Sequence, residues 1–160
     1  MKSIILILAS IFITILSAKE ELPIGFTAEE FANKHLIIEM STRTEPPPYP
    51  IRNISEFERM QGVVIRYPFG ITTSIIREMA EDIIVYCLVS SGQQNSAYNS
   101  MNNASVNMAN VEFIIGNTDS YWTRDYGPWW VVDGNNDVTV VDHTYNRPRP
   151  NDNQAPFKLS

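Results

Sequence analysis

An acid set among aromatic rings is the feature of this sequence best suited to chemistry. Residues 118–128 read TDSYWTRDYGP and place Asp125 close to Trp122, Tyr121 and Tyr126. A carboxylate pairs bidentately with a guanidinium group, and the flat face of that cation stacks on indole and phenol rings. We therefore interpret Asp125 as a residue that binds a planar cation, with Trp122 lining the same site.

Two arginines follow in the run YNRPRP at residues 145–150. Prolines alternate with Arg147 and Arg149 and favour an extended backbone, so both guanidinium groups can be presented to a carboxylate or phosphate at low entropic cost. One acid and two arginines suggest a ligand that carries both charges. The alternative is a solvated loop in which the arginines pair with Asp142 or Asp152 and contribute little stability.

Three runs of this sequence resemble, in the same order, the bacterial peptidylarginine deiminase and agmatine deiminase family. They are EFERMQGVVIRYP at 56–68, DSYWTRDYGP at 119–128 and YNRPRPND at 145–152. The resemblance covers residues 53–160 and implies an α/β fold, a pentein-type propeller of five blades of which this chain would form the first one to two. It also implies hydrolysis of a guanidino group to a ureido group and ammonia, with no cofactor and no metal.

The resemblance implies a role for each residue singled out above. Asp125 would be the catalytic carboxylate that clamps the guanidinium, Trp122 would line the side-chain channel, and Arg147 and Arg149 would bind the substrate. Because agmatine has no carboxylate, the arginines favour conversion of peptidyl or C-terminal arginine to citrulline. Conversion of agmatine to N-carbamoylputrescine, with a small guanidino substrate, stays open as an alternative.

The parts of that chemistry that form and break bonds have no counterpart here. The family's His-x-Asp pair and its nucleophilic cysteine are both missing, so we expect this chain alone to be inactive. Cys87 lies inside the apolar run IIVYCLV, which hides a thiol and raises its pKa, so we predict a buried structural residue. His143 does not fall where the family motif belongs, and we predict an incidental role.

Two further hypotheses need no catalysis. A secreted binding module could hold a sugar or peptide with the indoles of Trp122, Trp129 and Trp130. A truncated, non-functional product would instead leave sheet edges and apolar surface open to solvent.

Alternating helical and extended patterns predict the scaffold that positions these residues. Strands are predicted at 62–68, 83–89 and 111–115, and helical periodicity occupies 71–82 and 95–110. This alternation predicts an α/β domain.

A hairpin is predicted after the aromatic loop. Residues 129–132 and 138–141 are apolar and flank the turn DGNND. That turn has the opening spacing of a calcium loop, but Val138 stands where glycine is expected and Thr144 where the closing glutamate is expected. We therefore predict a plain turn, and we expect strands 111–115 and 129–132 to carry the site loop between them.

The beginning of the chain predicts export. Residues 1–18 read as a signal peptide, which favours a periplasmic or extracellular protein without stable membrane association after cleavage, with an uncleaved membrane anchor as the alternative. Residues 19–52 are predicted to be a leader with a proline-rich linker at its end, and 53–160 the domain. Within the leader, Thr27 and Glu30 predict a capped helix over 27–35.

Charge and length limit the partners. The chain has 160 residues and a net charge of −6, with no run of lysine and arginine, which argues against nucleic acid. An arginine-containing peptide or a small guanidino compound is the expected partner.

Overall fold

The computed structural model describes residues 25–41 and 45–160, so the predicted signal peptide lies outside the described residues. The helices are α1 (Ala28–Ala32), α2 (His35–Glu39), α3 (Thr73–Asp82), α4 (Gln94–Asn103), α5 (Thr123–Tyr126), α6 (Pro150–Asn153) and α7 (Ala155–Leu159). The strands are β1 (Arg52–Asn53), β2 (Gly62–Arg66), β3 (Ile84–Val89), β4 (Val111–Ile115), β5 (Trp129–Val132) and β6 (Val138–Val141). The fold is therefore mixed α/β.

A parallel sheet with the order β2, β3, β4 forms the centre of the molecule. Helix α3 connects the first two strands and α4 the next two, as the periodicity predicts, and such crossovers are what parallel strands require. The register places Gly62 beside Ile84 and Val85 beside Val111. The three predicted strands and the helix predicted at 71–82 are confirmed with boundaries shifted by at most two residues. The helix predicted at 95–110 is shorter, because α4 ends at Asn103 and only a 3-10 turn, Met108–Asn110, follows before β4.

The central strand β3 is buried on both faces. Alternate residues Val85, Cys87 and Val89 belong to a core cluster that includes buried residues of α3 and α4. Leu88 points the other way and packs with Tyr126, Tyr145 and Ala155. One face of the sheet is thus covered by helices, and the other supports the loops that carry the candidate site.

The predicted hairpin of β5 and β6 is confirmed and forms an antiparallel sheet with the order β1, β5, β6. Its turn is closed by the Asp133 carboxylate, which accepts backbone N–H groups of Asn135 and Asp137 at 2.9 and 3.0 Å. Strand β1 pairs with β5, with Arg52 opposite Val132, so sheet pairing includes the end of the predicted linker.

The helix predicted at 27–35 is shorter in the structure, where α1 ends at Ala32. A turn at Asn33 and Lys34 follows, and then α2, which was not predicted. The predicted start of α1 is confirmed. The Thr27 hydroxyl accepts the Glu30 N–H at 3.0 Å, and the Glu30 carboxylate accepts the Thr27 N–H at 2.9 Å, a reciprocal capping box.

Within residues 25–41 and 45–160, no helix is long and apolar enough to cross a membrane. The two sheets stay separate and neither closes into a barrel in this part of the chain. The partial propeller remains a prediction.

Candidate functional site

Two loops carry the candidate residues: residues 116–128, with Trp122 and Asp125, and residues 142–153, with Arg147 and Arg149. Hydrogen bonds join these two site loops directly. The Asp119 carboxylate accepts the backbone and side-chain N–H groups of Asn151 at 2.9 and 2.7 Å. In return, the Asp152 carboxylate accepts the Asp119 N–H at 2.7 Å, the Ser120 N–H at 3.1 Å and the Ser120 hydroxyl at 2.5 Å. These five hydrogen bonds hold residues about 32 positions apart in the sequence.

Asp152 is fully buried, which decides its role. Burial raises the pKa of its carboxyl above the ordinary value, and the hydrogen bonds from Ser120 and from the Asp119 backbone oppose that rise only in part. The sequence suggested Asp152 as a surface partner of the arginines, and this alternative is wrong. Its oxygens face the other loop, because they satisfy donors that would otherwise be buried without partners.

Asp125 lies on the single turn of helix α5 and is exposed. Its carboxylate makes no hydrogen bond or ion pair with any residue in the described part of the chain. The backbone is fixed from both sides: its N–H donates to the Trp122 carbonyl at 2.9 Å, and its carbonyl accepts from His143 Nε2 at 3.1 Å. Arg124 pairs with Glu56, so the neighbouring arginine does not neutralise Asp125.

The rings predicted to surround Asp125 separate into two groups. Tyr126 is buried in the core cluster with Tyr145, at 5.8 Å between ring centroids, so the expectation that it faces a ligand is wrong. Trp122 is half-buried at the edge of this cluster, and its ring lies 4.9 Å from that of Tyr121. Trp122 and Tyr121 are therefore the rings of this set that stay partly exposed.

His143 packs against Trp129 and is hydrogen-bonded to the turn that carries Asp125. Its ring stacks on the Trp129 indole at 4.4 Å, and the Trp129 Nε1 donates to the Arg124 carbonyl at 3.4 Å. Because a carbonyl oxygen can only accept, His143 Nε2 must donate to Asp125. The hairpin strand β5 and the residues after β6 thus support the turn that carries Asp125.

Arg147 and Arg149 converge on one carboxylate, and it belongs to Glu30 of helix α1. Arg149 approaches Glu30 Oε1 at 2.6 Å through Nε and 2.5 Å through Nη2, and Arg147 Nη1 lies 3.8 Å from Oε2. The Arg147 guanidinium also lies over the Phe26 ring, 4.4 Å from its centroid. The sequence predicted that the two arginines act together, and gave no sign that residues 26–30 meet them.

Charge and burial act against each other at Glu30. Burial alone would raise the pKa of its carboxyl, but the Thr27 N–H, the hydrogen bond from Arg149 and the charges of both arginines outweigh it. The Glu30 pKa therefore lies below its ordinary value, so the carboxylate is ionised at neutral pH.

Tyr145 connects the two halves of the site. Burial raises the pKa of its phenol, the positive charge of Arg149 opposes this rise, and the negative charges of Asp152 and Asp125 add to it. The same phenol is thus within electrostatic range of both Asp125 and Arg149. Among the described residues, Asp125 does not pair with Arg147 or Arg149, whose carboxylate partner is Glu30.

Cys87 is buried, as predicted, and burial raises the pKa of its thiol to about 12. A thiol with so little thiolate at neutral pH is not a nucleophile. We expect a thiol reagent at pH 8 to leave the native protein unlabelled during the time in which it labels the urea-unfolded chain completely. Rapid native labelling would show an accessible Cys87 and would reopen its assignment.

A polar cleft of about 260 Å³ lies where the parallel strands end. Its lining residues are Arg66, Tyr67, Ser90, Gln93, Asn117, Thr118 and Asn151. Arg66 Nε donates to the Thr118 hydroxyl at 2.8 Å, which fixes the start of the site loop to the end of β2. Across the described ranges, no three His, Cys, Asp or Glu residues are grouped so that they could hold a metal ion.

The residues that the sequence analysis missed are those that hold the site together. Asp119, Ser120 and Asp152 occur in the motif runs quoted above, and that position was the only signal they gave. Glu30 was recognised solely as a helix cap. No known protein-family model matches this sequence.

Proposed function

We propose that this chain binds the guanidinium group of an arginine compound at Asp125 and Trp122, as part of a hydrolase that converts peptidyl or C-terminal arginine to citrulline and ammonia. The observation that carries the proposal is the Asp125 carboxylate, exposed on a fixed helical turn and without an ion pair among the described residues. An acid positioned in this way is ready to accept a cation from outside the chain.

Each residue has a defined task in binding. The Asp125 carboxylate accepts two N–H groups from the edge of the guanidinium, and Trp122 offers an indole face to the plane of the same cation. Holding the guanidinium carbon at a fixed position supports attack by a nucleophile. Cys87 is buried on the other face of β3, so we expect the chain by itself to bind substrate without turnover.

The arginine pair supports a substrate with a carboxylate. Arg147 and Arg149 already converge on one carboxylate, that of Glu30, so their spacing suits this group. Agmatine has no carboxylate that could take the place of Glu30 on these arginines. We therefore favour peptidyl or C-terminal arginine over agmatine.

The test is binding of acetyl-arginine amide, a ligand with a guanidinium and no carboxylate, measured by calorimetry or NMR titration. Asp125→Asn keeps the size of the side chain and removes its charge, so we expect binding to weaken by about tenfold to a hundredfold. Asp137→Asn, in the exposed hairpin turn, is the matched control and should leave the affinity unchanged. Equal affinity of Asp125→Asn and the unchanged protein would refute the proposal.

Exposed indoles support a second candidate, a binding module without chemistry. Trp129 is 51% exposed and Trp130 is 36% exposed, which is unusual for rings of this size. Binding of a sugar or of a peptide that has no arginine, abolished by Trp122→Ala and unaffected by Asp125→Asn, would favour this function over the first.

A further inference from the structure

The carboxylate on the arginine pair comes from a distant part of the chain. Glu30 lies 119 positions before Arg149, on helix α1, and is on neither of the two site loops. Its side chain is 13% exposed and that of Arg149 is 8% exposed, so water is largely excluded from their contact. A second carboxylate cannot take the same donors while Glu30 occupies them.

The segment that supplies Glu30 is weakly attached to the rest of the fold. Neither α1 nor α2 has a buried residue, and Ile38 is 80% exposed. Within the described ranges, 25–41 and 45–160, the segment's hydrogen bond to the domain besides the arginine contacts is one of 3.4 Å from Asn153 to the Met40 carbonyl. Helices of five residues are marginal without packing, so this segment can separate from the domain without breaking the core.

Glu30 itself is positioned by the capping box. The Thr27 N–H is held by one carboxylate oxygen of Glu30, while the Thr27 hydroxyl holds the Glu30 N–H. The other oxygen faces Arg149. Weakening this cap therefore loosens the contact and leaves the charge of Glu30 in place.

We infer that residues 25–41 are an autoinhibitory segment, in which Glu30 occupies the arginine pair in place of a ligand carboxylate and closes the site until the segment is displaced. This inference rests on the proposed function, because it takes Arg147 and Arg149 as the place where the carboxylate of an arginine compound binds. It adds regulation: affinity for carboxylate ligands is limited by the fraction of molecules in which the segment has left.

The test compares three probes on the full chain. Acetyl-arginine has both groups, acetyl-arginine amide has only the guanidinium, and acetylglycine has only the carboxylate. We expect Glu30→Gln to bind acetyl-arginine and acetylglycine about tenfold more tightly than the unchanged protein, because the competing charge is gone, and to bind the amide equally well. Glu29→Gln, on the same helix but exposed, should change none of the three affinities.

Two further variants keep the result independent of any loss of folding in Glu30→Gln. Thr27→Ala retains Glu30 and weakens the cap, and it should shift both carboxylate affinities in the same direction by a smaller factor. Adding Arg149→Gln to Glu30→Gln should remove the gain. A gain that persists without Arg149 would place the carboxylate elsewhere and overturn the inference.

The three probes separate the two proposals. If the amide binds through Asp125 but neither Glu30→Gln nor Thr27→Ala improves binding of acetylglycine, the autoinhibitory segment is refuted and the proposed function stands. If the amide does not bind but the variants gain affinity for acetylglycine, the segment does block a carboxylate site and the guanidinium site is wrong.

Discussion

Replacing Asp152 by alanine should lower the free energy of unfolding by about 3–4 kcal/mol, because it leaves the Ser120 hydroxyl and two backbone N–H groups without acceptors in a buried position. Urea unfolding followed by circular dichroism measures the change. The loss should be smaller in Asp152→Asn, whose amide oxygen retains one acceptor. Binding of acetyl-arginine should weaken as well, since the two loops lose three of the five hydrogen bonds that join them.

Asp82→Ala is the control for this experiment. Asp82 is an exposed acid at the end of α3, and its removal should change stability by no more than about 0.5 kcal/mol. A value for Asp152→Ala close to that of the control would mean that Asp152 is solvated and does not join the loops.

Leu88→Ala should destabilise the protein by about 3 kcal/mol. Leu88 is a residue of β3 whose fully buried side chain packs with Tyr126 and Tyr145 of the site loops. Its truncation therefore leaves a cavity under the site. Because Trp122 packs against the same cluster, its fluorescence and the affinity for acetyl-arginine amide should change too. Urea unfolding and a ligand titration give the two measurements.

Truncations elsewhere distinguish a local effect from a general one. Val85→Ala removes a buried side chain on the helix-covered face of the same strand, and should reduce stability without changing Trp122 fluorescence. Ile38→Ala, at a largely exposed position, should change neither the stability nor the Trp122 fluorescence. A Leu88→Ala protein with unchanged fluorescence and binding would show that the site does not depend on this cluster.

The scaffold could be predicted from the sequence because its signals are local. The strands β2, β3 and β4 are short apolar runs, α3 and α4 repeat apolar residues at helical spacing, and the turn of the hairpin is rich in Asp, Asn and Gly. Buried Cys87 follows from the same pattern, since it stands in the most apolar strand.

The contacts that assemble the site could not be predicted, because they join residues far apart. An aspartate such as Asp152 reads as a surface residue in any local pattern, and only the folded chain brings three donors to it. The sequence predicts Glu30 as part of a helix cap, and the structure confirms that cap. The same pattern does not predict the contact of Glu30 with Arg149. The turn at Asn33 and Lys34 and the helix α2 were also missed, since the sequence predicted one uninterrupted helix over 27–35.

The hydrogen bonds between Asp119, Ser120, Asn151 and Asp152 have a consequence for selectivity. They join the loop of Asp125 to the loop of the arginines and so limit the movement of one loop relative to the other. The length of a compound then decides whether it can contact Asp125 and the two arginines at the same time. Under the proposed function, we expect homologues of arginine with one methylene more or fewer to bind more weakly than arginine, even though their charges are the same.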